Sequence, residues 1–246
     1  MFLKGDHSKM DVKKLKISGI LFGCFVFFTI LVRFIDRAAI GPSDSVVGFA
    51  KLNGAVKNAV GNSKMWYALS SFFGVVVILV VIGFACLGAY ELIRKKSLAG
   101  VDPDIYALAV IYVIMAVFYI VFDKIIIVNY RPMLENGELA ASYPSSHTLM
   151  AVTVLGTAVI ALYKRLKDYN IRLIVFAAAM LLMFLAVLTR FLSGVHWFTD
   201  IFASFLLGAS LVALYSALSD YSFILRRELK KYSQKKKDGR NDEEDF

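Results

Sequence analysis

Three short stretches carry side chains that together could hold a phosphate and do chemistry on it. The first is Lys124, followed seven residues later by Arg131 and then Pro132. The second is Pro144-Ser145-Ser146-His147, and the third is Thr189-Arg190, five further residues, His196, three more, and Asp200. The chain has only three histidines and four prolines, and two of each fall in these stretches. On a continuing helix Lys124 and Arg131 would share a face within about 20° of rotation, with Pro132 ending the turn. Taken alone, Lys124 reads better as a residue snorkelling to a membrane interface. Arg131 offers a planar fork that grips phosphate oxygens in pairs, which a lysine cannot do.

Serines ahead of a helix are ordinary N-caps, and that reading suits Ser145 and Ser146 by themselves. A helix start nevertheless presents free N–H groups that favour an anion, and His147 there is placed to give a proton to a departing oxygen. The four-residue spacing of His196 and Asp200 predicts a shared helix face. A carboxylate that accepts a hydrogen bond from one ring nitrogen leaves the other as a lone-pair donor, the condition for a nucleophilic histidine. A His/Asp pair at a helix start is also a common structural device, but an ionisable residue inside a membrane span is a functional candidate by default.

Membrane spans must position these groups. Of 246 residues, 59% are hydrophobic and 19% charged, against roughly 45–50% and about 25% in soluble domains, which argues against a soluble enzyme. Six apolar runs are long enough to cross a bilayer: Ile17–Ile35, Met65–Tyr90, Tyr106–Phe122, His147–Tyr163, Ile171–Leu188 and Trp197–Leu218. The fold class is therefore all-α, a polytopic bundle of six transmembrane helices in one membrane domain, residues 1–225. Six spans put both termini on one side, and 20 of the 28 Lys and Arg fall on that side. The positive-inside rule makes it cytoplasmic. The loops 124–146 and 189–196 then share the outer face, so three cations, two imidazoles and a carboxylate gather at one edge of the bilayer.

The net charge of +9 is explained by this topology, and no nucleic-acid partner is implied. The first apolar run is long and lacks a small-x-small cleavage site, so it is expected to remain as an anchor. Cys24 and Cys86 sit in apolar runs with no ligand spacing, and neither a disulfide framework nor a metal site follows. The segment 36–64 suits a plain connector or a short helix on the outer interface. The tail, 226–246, runs basic and then acidic and suits a disordered or surface-attracted end.

The three stretches resemble the signature of the type 2 phosphatidic acid phosphatase family of membrane lipid phosphatases: Lys-x6-Arg-Pro, Pro-Ser-Gly-His and Ser-Arg-x5-His-x3-Asp. Order, spacing and placement on one face agree, while Ser146 stands where the family has glycine and Thr189 where it has serine. The resemblance implies a six-helix fold and hydrolysis without a metal or other cofactor. It implies that His196 attacks phosphorus to form a phosphohistidine, Asp200 orients it, and His147 protonates the leaving oxygen. Lys124, Arg131, Ser145, Ser146 and Arg190 would surround the phosphate. It also implies a lipid phosphate partner within the cell membrane, with phosphatidylglycerophosphate and undecaprenyl pyrophosphate favoured because the compact chain is similar to that branch. A lipid-phosphate binder or transporter would use the same cations without turnover, and a phosphotransferase would pass the phosphoryl group from His196 to an alcohol.

Overall fold

The computed structural model describes the backbone of residues 12–244 and the side chains of residues 12–221. The charged tail, 226–246, lies outside the residues whose side chains are described. Helix α1 (Val12–Phe34) leads into a two-residue hairpin of β1 (Ala38–Ala39) and β2 (Val46–Val47), and then into the short helix α2 (Ala50–Val60). Helices α3 (Lys64–Lys95), α4 (Pro103–Ile120), α5 (Ser146–Arg165), α6 (Tyr169–Leu192) and α7 (Phe198–Glu244) follow. Six helices among the described residues are long and apolar enough to cross a membrane, as the hydrophobic runs predict. The segment 36–64 contains a helix and a hairpin, so of its two readings the short helix is the one observed.

Helix ends differ from the apolar runs because backbone hydrogen bonding continues past the last apolar residue. Helix α6 extends to Leu192 and so takes in Thr189 and Arg190, which the sequence reading places in a loop. Helix α4 ends in a single π-turn over Val121–Ile125, after which the chain is irregular.

Helices α5 and α7 form the interior. About half of each span is buried, 56% and 50%, against 11–28% for the other four. Helix α7 packs on α1, α4 and α5, while α6 lies against α3 and α5. Burial inside protein explains how α5 tolerates Thr148, Thr153 and Thr157, all buried. Thr157 Oγ1 donates to the Thr153 carbonyl at 2.8 Å, satisfying the hydroxyl within its own helix.

The α5–α7 seam is close because glycines open it from both sides. A Cβ at Gly156 would stand 2.6 Å from Val212 Cγ2, and one at Gly208 would stand 2.8 Å from Val152 Cγ1. Gly208→Val is therefore expected to lower stability by about 1–3 kcal/mol through overpacking, read as a lower midpoint when the detergent-solubilised protein is melted.

Ion pairs join the helices at the end away from the three signature stretches. Arg165 holds Asp104 through two guanidinium nitrogens at 2.5 and 2.9 Å. Lys14 and Lys164 both reach Asp220, at 2.5 and 2.6 Å. This tethering of α1, α4, α5 and α7 leaves the opposite end to the loops and to function.

Candidate active site

Loop 193–197 and the first turns of α5 and α7 build the site. His196 is buried and precedes α7, so the expectation of one helix face for His196 and Asp200 is met only in part. The imidazole Nδ1–H donates to the Ser142 carbonyl at 2.9 Å. Asp200 Oδ2 lies 3.7 Å from the same nitrogen, beyond hydrogen-bond reach. It accepts instead the Trp197 N–H at 2.9 Å, closing the turn into α7. Ser142 was not visible to spacing rules, because a backbone carbonyl can come from any residue type.

The other ring nitrogen carries the lone pair, which Arg190 engages in this structure. Arg190 Nη2 donates to His196 Nε2 at 3.0 Å, which requires a lone pair there. Arg190 is 1% exposed, and among the described residues no carboxylate lies within ion-pair distance of it. Its other contacts are the Ser70 hydroxyl at 3.4 Å and the face of Tyr67 at 5.7 Å. The intrahelical bond from Thr189 Oγ1 to the Leu185 carbonyl, 2.7 Å, keeps that hydroxyl out of the site.

Burial, and then the positive charges of Arg190 and Arg131, hold the His196 pKa well below the usual histidine range. The ring is neutral and nucleophilic near pH 7. An unfolded chain takes up a proton below about pH 6.5 while the folded ring resists it. Stability should therefore fall as pH drops below that value. His196→Gln is expected to remove part of the fall, read by comparing melting midpoints at pH 7.5 and 5.5.

One cleft is lined by Asp123, Arg131, Ser142, Ser146 and His196, with Tyr119 and Leu149 on its apolar side. Arg131 stands on a hairpin closed by the bridges Tyr130–Ala141 and Glu135–Glu138. Its turn is Asn136–Gly137, both at positive φ, 53° and 86°, the backbone a type I′ turn requires. Arg131 Nη1 pairs with Glu135 at 3.0 Å, while its Nε has no partner and is buried.

Ser145 caps α5 by position, yet its buried hydroxyl makes no hydrogen bond. Its N–H donates to the Asp200 carbonyl at 3.2 Å, tying the α5 start to α7. Ser146 opens α5 in helical backbone and is not at positive φ, so serine fits there without the strain glycine would relieve. His147 follows in the same turn, its ring against Gly74 of α3. A Cβ there would stand 3.0 Å from the ring carbon Cδ2.

Lys124 is not brought to the cleft. It lies at the end of the π-turn, its side chain is 76% exposed, and its ammonium pairs with Asp123 at 2.8 Å. The face shared with Arg131 would need a continuing helix, and the π-turn ends it. The structure thus assembles His196, Arg190, Arg131, Ser145, Ser146, His147 and Asp200 at one end of the bundle, with Lys124 at its edge.

A family profile described as the PAP2 superfamily matches residues 105–224. No curated protein matches the chain significantly. A crystal structure of a transmembrane PAP2-type phosphatidylglycerolphosphate phosphatase from Bacillus subtilis is similar in fold. It superposes with a TM-score of 0.59 and 19% sequence identity, covering 81% of this chain and 94% of that one. The matched segment, 105–224, holds the whole described constellation, so the similarity to the PAP2 superfamily covers the candidate site itself.

Proposed function

We propose that the protein is a metal-independent lipid phosphate phosphatase that works through a phosphohistidine on His196. The observation that carries this reading is Arg190: a buried guanidinium without a carboxylate, its Nη2 3.0 Å from the lone pair of His196 Nε2. A bare cation in a buried site is costly, and a phosphate beside the imidazole would satisfy it. Arg190 would pass its N–H from Nε2 to the phosphate oxygens, the freed Nε2 lone pair would attack phosphorus, and the lipid oxygen would leave with a proton from His147. Water would then attack the phosphohistidine and release phosphate. Arg190, Arg131, Ser145 and the Ser146 N–H would hold the non-bridging oxygens, where charge gathers in the transition state. Lys124 would join them only by leaving Asp123.

The substrate would be a membrane lipid phosphate whose acyl or prenyl chains stay among the helices. Phosphatidylglycerophosphate and undecaprenyl pyrophosphate are favoured by the resemblance of the compact chain to that branch. The site would lie on the outer face of the cell membrane with both termini cytoplasmic, as the distribution of basic residues implies. The test is phosphate release from both lipids in detergent containing EDTA. Repeated turnover supports the reading. Saturable binding without release would favour a binder or transporter, and transfer to an added alcohol a phosphotransferase.

A further inference from the structure

Two buried asparagines, Asn129 at an unspecified position within the first signature stretch and Asn53 outside all three, join the segment between α1 and α3 to the residues around His196. The Gly48 N–H donates to Asn129 Oδ1 at 3.2 Å, and Asn129 Nδ2 donates to Asp200 Oδ1 at 3.3 Å. The Asn129 carbonyl accepts both the Ser142 N–H, at 3.0 Å, and the Ser142 hydroxyl, at 3.1 Å. Asn129 thus touches the carboxylate beside His196 Nδ1 and also the residue whose carbonyl binds that nitrogen.

The far end of this chain of contacts is rigid. Gly48 lies so close to the end of α1 that a Cβ would run into the Val32 carbonyl. Its own carbonyl accepts from Asn53 Nδ2 at 2.7 Å. Asn53, 1% exposed like Asn129, exchanges two bonds with Thr199 in the first turn of α7. Nδ2 donates to Thr199 Oγ1 at 3.0 Å, and the Thr199 N–H donates to Oδ1 at 3.2 Å. Lys57 Nζ donates to the Gly194 carbonyl at 2.7 Å, holding loop 193–197 from the same side.

We propose that Asn129 is a positioning residue: anchored by Gly48, it fixes the Asp200 carboxylate through Oδ1, so that Oδ2 stays beside His196 Nδ1 and the imidazole stays aimed. The proposal rests on the phosphatase reading above and adds to it a residue that does not touch the phosphate. Without Asn129, the buried Asp200 Oδ1 loses a donor, at a cost of order 1–3 kcal/mol. The carboxylate then shifts from its place 3.7 Å from Nδ1, and the imidazole loses that support beside its bond to Ser142. The imidazole turns, and Nε2 leaves the line of attack on phosphorus. The charged and titratable groups around this pair are His196, Tyr143 just before α5, Arg131 on the hairpin, Arg190 on α6, His147 on α5 and Lys57 on α2.

The test measures kcat and KM for phosphate release from phosphatidylglycerophosphate, undecaprenyl pyrophosphate and phosphatidic acid between pH 5 and 8. Full-length wild type, N129L and N129D are compared in detergent, each normalised to folded protein. N129L should lose about tenfold or more in kcat at every pH with KM little changed, the pattern of a misaimed nucleophile. N129D should track the wild type at pH 5, where the introduced carboxyl is protonated and donates as the amide does. It should fall about tenfold or more behind by pH 8, where two carboxylates would face each other. A merely structural role would not make the ratio of N129D to wild type depend on pH. A constant ratio, or a change confined to KM, overturns the proposal while turnover by the wild type upholds the phosphatase reading. If N129L does not fold, the N129D ratio alone decides. A wild type that releases phosphate from none of the three lipids overturns the phosphatase reading, and this proposal with it.

Discussion

His196→Ala is expected to abolish phosphate release, a loss of at least about 10³-fold in kcat, while the protein stays folded and membrane-inserted. The size of the effect follows from the site. His196 Nε2 is a lone pair buried beside Arg190, and alanine leaves no atom that can form the covalent intermediate. Stability should change little. The variant loses the bond from Nδ1 to the Ser142 carbonyl, worth about 0.5–1.5 kcal/mol, but it also relieves an imidazole crowded by positive charge. Two measurements check this. Wild type given lipid labelled in its phosphate and quenched in alkaline detergent should carry acid-labile label on protein, and His196→Ala none; their melting midpoints should agree within a few degrees. Turnover retained by His196→Ala would remove the phosphohistidine route.

Much of this site is legible in the sequence because spacing on helices is rigid. The six spans follow from apolar length alone, since backbone groups in lipid must be paired internally. Arg190 and His196 are six residues apart, and the tight turn at Gly194, φ 67°, folds the second back onto the first. Where the backbone departs from a helix, spacing misleads. Seven residues put Lys124 and Arg131 on one face only if the helix continues, and the π-turn at Val121–Ile125 breaks that register. Four residues put Asp200 near His196, but the carboxylate caps its own turn through the Trp197 N–H.

What stays hidden is contributed by residues far away in the chain. Ser142 acts through its backbone, Gly74 by having no side chain, and Asn129 and Asn53 through bonds spanning 71 and 146 residues. None of these has a local pattern. The segment between α1 and α3 is the clearest instance. Its apolar residues show mixed spacing because α2 is short and rests on loop 193–197 and α7, with Asn53 as its buried contact.

Arg190 presents the second large effect, and its direction separates function from stability. Arg190→Leu is expected to reduce turnover at least about 10²-fold and yet to melt no lower than the wild type. Turnover falls because Arg190 contacts the attacking nitrogen and can hold two phosphate oxygens at once. Stability is retained because the guanidinium is 1% exposed, its Nε is without a partner, and besides His196 it meets the Ser70 hydroxyl at 3.4 Å and Tyr67, none of them a carboxylate. Desolvating such a cation costs more than these contacts return, so an apolar side chain of similar volume relieves the interior. Arg190→Lys keeps the charge but loses the fork and should resemble Arg190→Leu in turnover more than it resembles the wild type. Vanadate should raise the melting midpoint of the wild type by binding the folded state alone and should leave that of Arg190→Leu unmoved. A lower midpoint for Arg190→Leu without ligand would instead make Arg190 part of what holds α3 to α6, with phosphate binding secondary.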